Sequence, residues 1–285
     1  MNCSKKQRTV QKLFASIQPL IEEICDYFEC KETYSKEEAK YFINNNIDKF
    51  DVFVACGGDG TLQLIASELI EKNKIIGLLP LGTGNDFSKN FGLNLSISNY
   101  LSIIKAKKIK KYDLIKVNDK SFCINTFGIG FDGMANEITT KINLPIGKLK
   151  YLVGSIRALN KLEKHTFEIL IDDIRTELFS SYMVVICNGR WEGGSFFISP
   201  QSDPTDGKLE MLISLSKNKR ALTNQLINLY INNKLDSKEF KSISFQNASI
   251  KVDSLIISHS DGEVLQPESL FKFSIIKNAI TMLSP

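Results

Sequence analysis

The chain has 285 residues, 43% of them hydrophobic, which is enough to bury a substantial core and points to two domains of ordinary size. Lys and Arg number 36 against 32 Asp and Glu; the resulting net charge of +4 is too mild to imply nucleic acid but is compatible with an anionic membrane surface. Six scattered cysteines without a Cys-x-x-Cys pair argue against a disulfide framework or a zinc site and fit a reducing cytoplasm. No run approaches the roughly 20 apolar residues of a membrane span, and the polar start MNCSKKQR lacks a signal peptide's apolar core.

Val10, Leu13, Phe14, Ile17, Ile21, Ile24 and Phe28 recur at helical spacing and predict an amphipathic surface helix. Ser35 with Glu38 three residues later reads as a capping box opening a second helix through Ala39 and Ile43. Asp51–Cys56 (DVFVAC) is a strand that ends in Gly57-Gly58-Asp59-Gly60, and helical spacing resumes over Thr61–Lys72. Ile75–Pro80 (IIGLLP) is a second strand, ending in Leu81-Gly82-Thr83-Gly84-Asn85-Asp86. Strands alternating with helices imply a parallel sheet.

The lysine-rich stretch Lys105–Lys111 reads as a solvated connection, and a domain boundary is placed at residue 112. Beyond it come strand candidates Tyr112–Val117, Phe122–Thr126, Phe167–Ile171, Tyr182–Cys187, Leu209–Leu215 and Phe271–Ile276, interrupted by helices at Lys148–Leu162 and near Ala221–Leu235. The expected fold is α/β: a nucleotide-binding domain over residues 1–111, to which residues 277–285 return, then a β-rich domain over 112–285.

A glycine-rich turn between strand and helix lets backbone N–H groups approach phosphate oxygens, and the helix N-terminus adds partial positive charge. Gly57–Thr61 has this setting. A carboxylate aimed at polyphosphate is repulsive without a cation or a proton-transfer role, so Asp59 points to phosphoryl transfer; an ordinary strand-to-helix turn with Asp at its start would carry the same letters. If the two strands are close, Gly82–Asp86 shares the crevice at the carboxyl edge. Thr83 can donate to phosphate, and Asp86 can bind water on a metal or simply cap the next helix. P-loop and dinucleotide patterns are absent.

GGDGT at Gly57–Thr61 followed by PLGTGNDF at Pro80–Phe87 resembles the diacylglycerol kinase catalytic family, in particular its bacterial soluble lipid kinases. FGIGFD from Phe127, Gly193-Gly194 with Ile198-Ser199-Pro200, Asp206-Gly207-Lys208-Leu209 and Asp261-Gly262-Glu263 follow in the family's order. The resemblance implies a three-layer nucleotide domain similar to that of NAD kinases and 6-phosphofructokinases, then a β-sandwich, with ATP and Mg²⁺ as requirements. It assigns nucleotide contacts to Thr33, to Gly57, Gly58, Asp59, Gly60, Thr61, Leu62 and Gln63, and to Gly82, Thr83, Asn85 and Asp86. Glu263 would be the proton acceptor. Asp59, Asp86 and Asp261 would hold a Mg²⁺–water network, which makes Asp59 and Asp261 catalytic candidates beside Glu263.

The same resemblance implies a structural Mg²⁺ on Asp203, Asp206 and Lys208; a turn whose Asp side chains bond only local backbone fits the letters equally. The start departs from the family: Cys3 stands where a proline follows Asn2, and Lys5 near an expected glycine, so the first strand is expected to be missing or the start codon misplaced. His165 and His259 show no partner pattern. Trp191, Phe196 and Phe197 suit an acyl-chain cleft or core packing. The expected protein is a cytoplasmic, transiently membrane-associated lipid kinase, with an anionic membrane surface as partner, a homodimer as one assembly and no nucleic acid. An NAD-kinase-like or sugar-phosphate kinase and an inactive binding protein are the rivals.

Overall fold

The two apolar runs DVFVAC and IIGLLP become neighbouring strands, as their continuous burial requires. The computed structural model describes residues 14–15, 18–25, 27–82, 84–91, 97–142, 153–154, 157–159, 162–194, 196–236 and 238–285. The expected first helix and the helix over Lys148–Leu162 therefore fall largely outside the described residues, as does Thr83; residues 18–22 are helical.

Helix α1 (Lys36–Asn45) starts at the expected cap. Ser35 Oγ accepts the Glu38 N–H at 3.0 Å, and Glu38 reaches back to the Tyr34 N–H at 2.9 Å, one residue upstream of the usual reciprocal bond. Strand β1 (Val52–Gly57) pairs in parallel with β2 (Ile75–Pro80), joined by helix α2 (Asp59–Leu69). Helix α2 begins two residues before the expected Thr61, because Gly58 serves as N-cap and Asp59 enters the first turn, where the helix dipole favours a negative charge. A short 3-10 turn at Phe87–Phe91 and helix α3 (Ile97–Ala106) follow.

Strands β3 (Ile109–Val117), β4 (Ser121–Cys123) and β5 (Thr126–Gly130) lead into helix α4 (Phe131–Thr140). Next come β6 (His165–Ile171), β7 (Arg175–Ser181), β8 (Met183–Cys187), the short β9 (Trp191–Glu192) and β10 (Phe196–Phe197), and β11 (Leu209–Ser214). Helix α5 (Lys219–Asn232) precedes β12 (Phe240–Phe245), β13 (Asn247–Ile256), β14 (Ser258–Ser260), β15 (Glu263–Val264) and β16 (Glu268–Leu283).

Two sheets result. One runs β1-β2-β16-β13-β6-β7, with β3 also on β16 and β4 on β3; the other runs β12-β11-β8-β5-β14-β15. They face each other across a core in which Phe127, Ile129, Val184, Ile186 and Met211 meet Phe167, Ile169, Ile250, Phe271 and Phe273. Burying each of these side chains is worth roughly 1.5–3 kcal/mol, so the sandwich is held chiefly by this layer. Helices α4 and α5 cover the outer face of the second sheet through Phe131, Ala135, Leu222 and Leu229. The fold is therefore α/β, with an N-terminal parallel sheet and a C-terminal β-sandwich.

The largest departure from expectation is β16, which runs ten residues beyond the expected Phe271–Ile276 segment in total. Its first part pairs antiparallel with β13, and its last part lies parallel to β2, with Thr281 opposite Ile75. A register shift between Ile276 and Ile280 joins the two parts, around Asn278 at φ 54°. Residues Ile109–Lys111, expected in a solvated connection, are instead strand, paired with Thr281–Leu283.

Candidate functional site

The register of β1 and β2 sets Gly57 level with Pro80, so both glycine-bearing loops leave the sheet at one edge. The loops also touch. Leu81 and Gly82 N–H groups donate to Gly57 O at 2.8 and 3.1 Å, and a Cβ at Gly82 would lie 2.4 Å from Gly58 Cα. Glycine is required there because backbone packs on backbone. Asn85, at φ 52°, clips the second loop by donating to Pro80 O and Gly82 O.

This clasp brings two carboxylates together. A Cβ at Gly84 would sit 3.2 Å from Asp59 Oδ2 and 3.5 Å from Asp86 Oδ2, so the two oxygens converge on one small space. Asp59 Oδ1 accepts the Phe87 N–H at 3.0 Å. Asp86 Oδ2 accepts the Gly194 N–H at 2.8 Å, and its Oδ1 takes the Lys89 ammonium. Burial, then the Asp86 charge, raises the Asp59 carboxyl to about 6. Two buried acids sharing one space suit a bound cation, so the donor set fits a divalent ion with oxygen ligands.

The rest of the first loop divides by direction. Gly60 faces open space, and the Thr61 side chain folds over Gly57 and is exposed. Leu62 is fully buried in the core, so only its backbone is available to a nucleotide. Gln63 Nε2 points to Phe122 O and Ser260 Oγ, tying α2 to the other sheet rather than to the loop mouth. Thr33 is half-buried, three residues ahead of α1.

Asp261 and Glu263, two residues apart, have opposite surroundings. Asp261 Oδ1 accepts the Asn125 and Thr126 N–H groups, and its Oδ2 accepts the Ile124 N–H, all at 2.8–3.1 Å. Burial pushes its carboxyl up against the pull of these donors. Both oxygens are committed to the backbone, so Asp261 anchors the turn, and its charge still reaches Asp59 and helps to raise that carboxyl. Glu263 is exposed, and Lys36 Nζ lies 2.6 Å from each of its oxygens.

The Asp203–Lys208 turn lies elsewhere. Asp203 Oδ1 accepts from Thr205 N and Oγ1, Asp206 Oδ1 accepts the Lys208 N–H, and Asp113 Oδ2 accepts the Gly207 N–H. Asp203 and Asp206 thus bond groups of their own turn, while Asp113 of β3 holds Gly207 from outside it, and Lys208 takes part through its backbone. Sequence reasoning missed Lys36, whose role needs α1 to meet β15. It also left His259 without partners, whereas Asp132 and Glu192 lie 2.7 and 2.9 Å from its Nε2. Phe196 packs into the core against Tyr230, while Trp191 and Phe197 lie half-buried with ring centroids 4.7 Å apart and planes tilted by 43°, with Lys89 over the indole. No helix among the described residues is long and apolar enough to cross a membrane.

Two family models match the chain: a diacylglycerol kinase catalytic domain over residues 1–117 and a YegS C-terminal NAD kinase beta sandwich-like domain over residues 125–284. A "Probable lipid kinase YegS-like" of Klebsiella pneumoniae (strain 342) is 29% identical over 64% of this chain, and the match spans 62% of that relative's length. Another of that name from Yersinia enterocolitica is 27% identical over 89% of this chain and 86% of its own. The crystal structure of a diacylglycerol kinase from Bacillus anthracis str. Sterne superposes with a TM-score of 0.74 at 20% identity, covering 96% of this chain and 91% of that one, which establishes a shared fold.

Proposed function

Because the chain belongs to the family that joins a diacylglycerol kinase catalytic domain to a YegS C-terminal NAD kinase beta sandwich-like domain, we propose that it transfers the terminal phosphoryl group of ATP to a membrane-lipid hydroxyl, diacylglycerol or a close relative. The observation that carries the reading is the Asp59–Asp86 pair beside the N-terminus of α2. Like charges are buried together there, an arrangement that suits phosphate chemistry better than structural support.

In this reading the Gly57–Thr61 backbone and the first turn of α2 cradle the phosphates, with Gly82 and Asn85 shaping the opposite wall. Asp59 and Asp86 would hold Mg²⁺, which would supply positive charge against the phosphate oxygens. Glu263 accepts the proton of the lipid hydroxyl, and Lys36 holds that carboxylate in place. Trp191 and Phe197 offer the apolar wall for the lipid. The protein works in the cytoplasm at an anionic bilayer, where the exposed Lys105–Lys111 stretch adds attraction of about 1 kcal/mol per charge near the surface.

The test is ATP consumption by the purified protein with Mg²⁺ and a panel of detergent-solubilised lipids, NAD and sugar phosphates, with Glu263→Gln as control. Lipid-dependent turnover lost in the variant is expected. Turnover confined to NAD or a sugar phosphate would transfer the reading to the other kinases of this architecture.

A further inference from the structure

His259 is completely buried between two carboxyl groups from other elements. Its Nε2 lies 2.7 Å from Asp132 Oδ2 of α4 and 2.9 Å from Glu192 Oε1 of β9, and none of the three residues is more than 5% exposed. One imidazole and two carboxylates at this spacing also describe a metal site. The other ring nitrogen argues against it. Burial disfavours a charged ring, but Asp132 and Glu192 outweigh it and raise the imidazole to about 10; the Gly262 N–H, 3.1 Å from Nδ1, opposes a proton there and keeps the ring proton on Nε2, facing the carboxyls. A metal on Nε2 would move that proton to Nδ1, setting it against the Gly262 N–H. Burial and the Asp132 charge raise the Glu192 carboxyl to about 8; the ring hydrogen bond goes to Asp132, and Glu192 stands beside it with neither oxygen hydrogen-bonded.

Each side of this cluster leads into a turn of the site. Two residues after Glu192, the Gly194 N–H holds Asp86 and its carbonyl takes Lys89. Two residues after His259, Asp261 fastens to the backbone of residues 124–126, and Gly262 then bonds back to the imidazole immediately before Glu263. Asp261 at φ 48° and Gly262 at φ 83° are left-handed, a turn that needs an anchor to persist. The Lys36–Glu263 ion pair is too exposed to serve as that anchor.

We propose that His259, bridged to Asp132 and Glu192, is a positioning residue that fixes the Glu263 turn at a set separation from the Asp59–Asp86 pair. The proposal rests on the kinase reading above, in which Glu263 is the base. A base displaced by about 1 Å loses about a hundredfold in rate, which is the scale on which such an anchor matters.

Asparagine places its amide where Nδ1 stands, and glutamine places it where Nε2 stands, so the two substitutions separate the functions of the ring. His259→Gln keeps an arm to the carboxyls but loses the acceptor for Gly262. It is expected to lower kcat about a hundredfold with the KM for ATP changed less than about threefold. His259→Asn keeps the acceptor and is expected to lose only several-fold in kcat. Thermal unfolding checks that both variants fold. Amide exchange at Gly262 and Glu263 should quicken in His259→Gln and not in His259→Asn, and ¹⁵N spectra of the wild-type protein should show Nδ1 unprotonated. These two readouts need no turnover. Equal kcat losses with equal exchange, a protonated Nδ1, or one bound metal per chain that His259→Gln releases would each overturn the proposal while leaving the kinase reading standing. A wild-type protein inactive on every lipid would sink the kinase reading, and the exchange comparison would still decide whether His259 anchors the turn.

Discussion

Two acidic turns in this molecule look alike as letters and behave as opposites. In the Asp203–Lys208 turn each carboxylate meets N–H or O–H groups of its own segment, as a turn does when its acids serve only to close it. At Gly82–Asp86 the second loop is folded against Gly58 so that Asp59 and Asp86 face one another, and although Lys89 pairs with Asp86, the Asp86 charge still raises the Asp59 carboxyl. The contrast separates acids that stabilise the fold from acids held at the expense of its stability, and the second kind marks where chemistry is to be sought.

Asp59→Asn sharpens this contrast most. Without the Asp59 charge, metal-assisted stabilisation worth several kcal/mol is lost, so turnover should fall at least about a thousandfold. The same variant should be more stable than the wild type by up to about 3 kcal/mol at pH 7, since burial and the Asp86 charge raise the Asp59 carboxyl to about 6 in the folded protein, against about 3.9 for a free aspartate. Denaturant titration reads this, and a destabilised variant would break the comparison. Glu263→Gln should lower kcat about a hundredfold, as removal of a general base does, with little change in urea midpoint.

The pH dependence follows from the sign of the Asp59 shift. Its folded pKa lies above its unfolded one, so between about pH 4 and 6 the native state binds more protons. Wild-type stability should carry a falling component as pH rises through that window, and Asp59→Asn should lack it. A wild-type minus variant difference that stays flat from pH 4 to 7 would count against the buried pair. Smallest is Asp203→Ala: losing the acceptor of two Thr205 bonds should lower stability by about 1 kcal/mol. A collapse of kcat matching that of Asp59→Asn would erase the distinction between the turns.

How much was legible followed from how locally each feature is determined. Strands β1 and β2 were readable because they are short apolar runs closed by glycine turns, and the cap of α1 because Ser35 and Glu38 satisfy each other's neighbourhood within one helical turn. Strand β13 was not, since exposed Lys251, Asp253 and Ser254 break up its apolar residues; nor was β7, whose Arg175, Thr176 and Leu178 are exposed. Strand β16 was cut short by Lys277 and Asn278, polar residues that sit at its register shift. At the site, glycines and acids showed through, but the commitment of Asp261 to the backbone and the partners of His259 depend on residues more than 60 positions away.

Strand β16 also bears on time. The parallel pair β1–β2 is made early in synthesis, yet its neighbour in the sheet is the segment around Thr281 and Met282, which is made long after it. Until then the flank of β2 is an open edge with Ile76 and Leu79 uncovered, residues that are fully buried in the finished protein. The sheet edge that carries the Asp59 and Asp86 loops is therefore completed only once the Thr281 segment has been made, so folding of this side waits on a distant stretch of chain. Chains halted before Asn278 should be captured by holdase chaperones, whereas chains that extend through Leu283 should escape them.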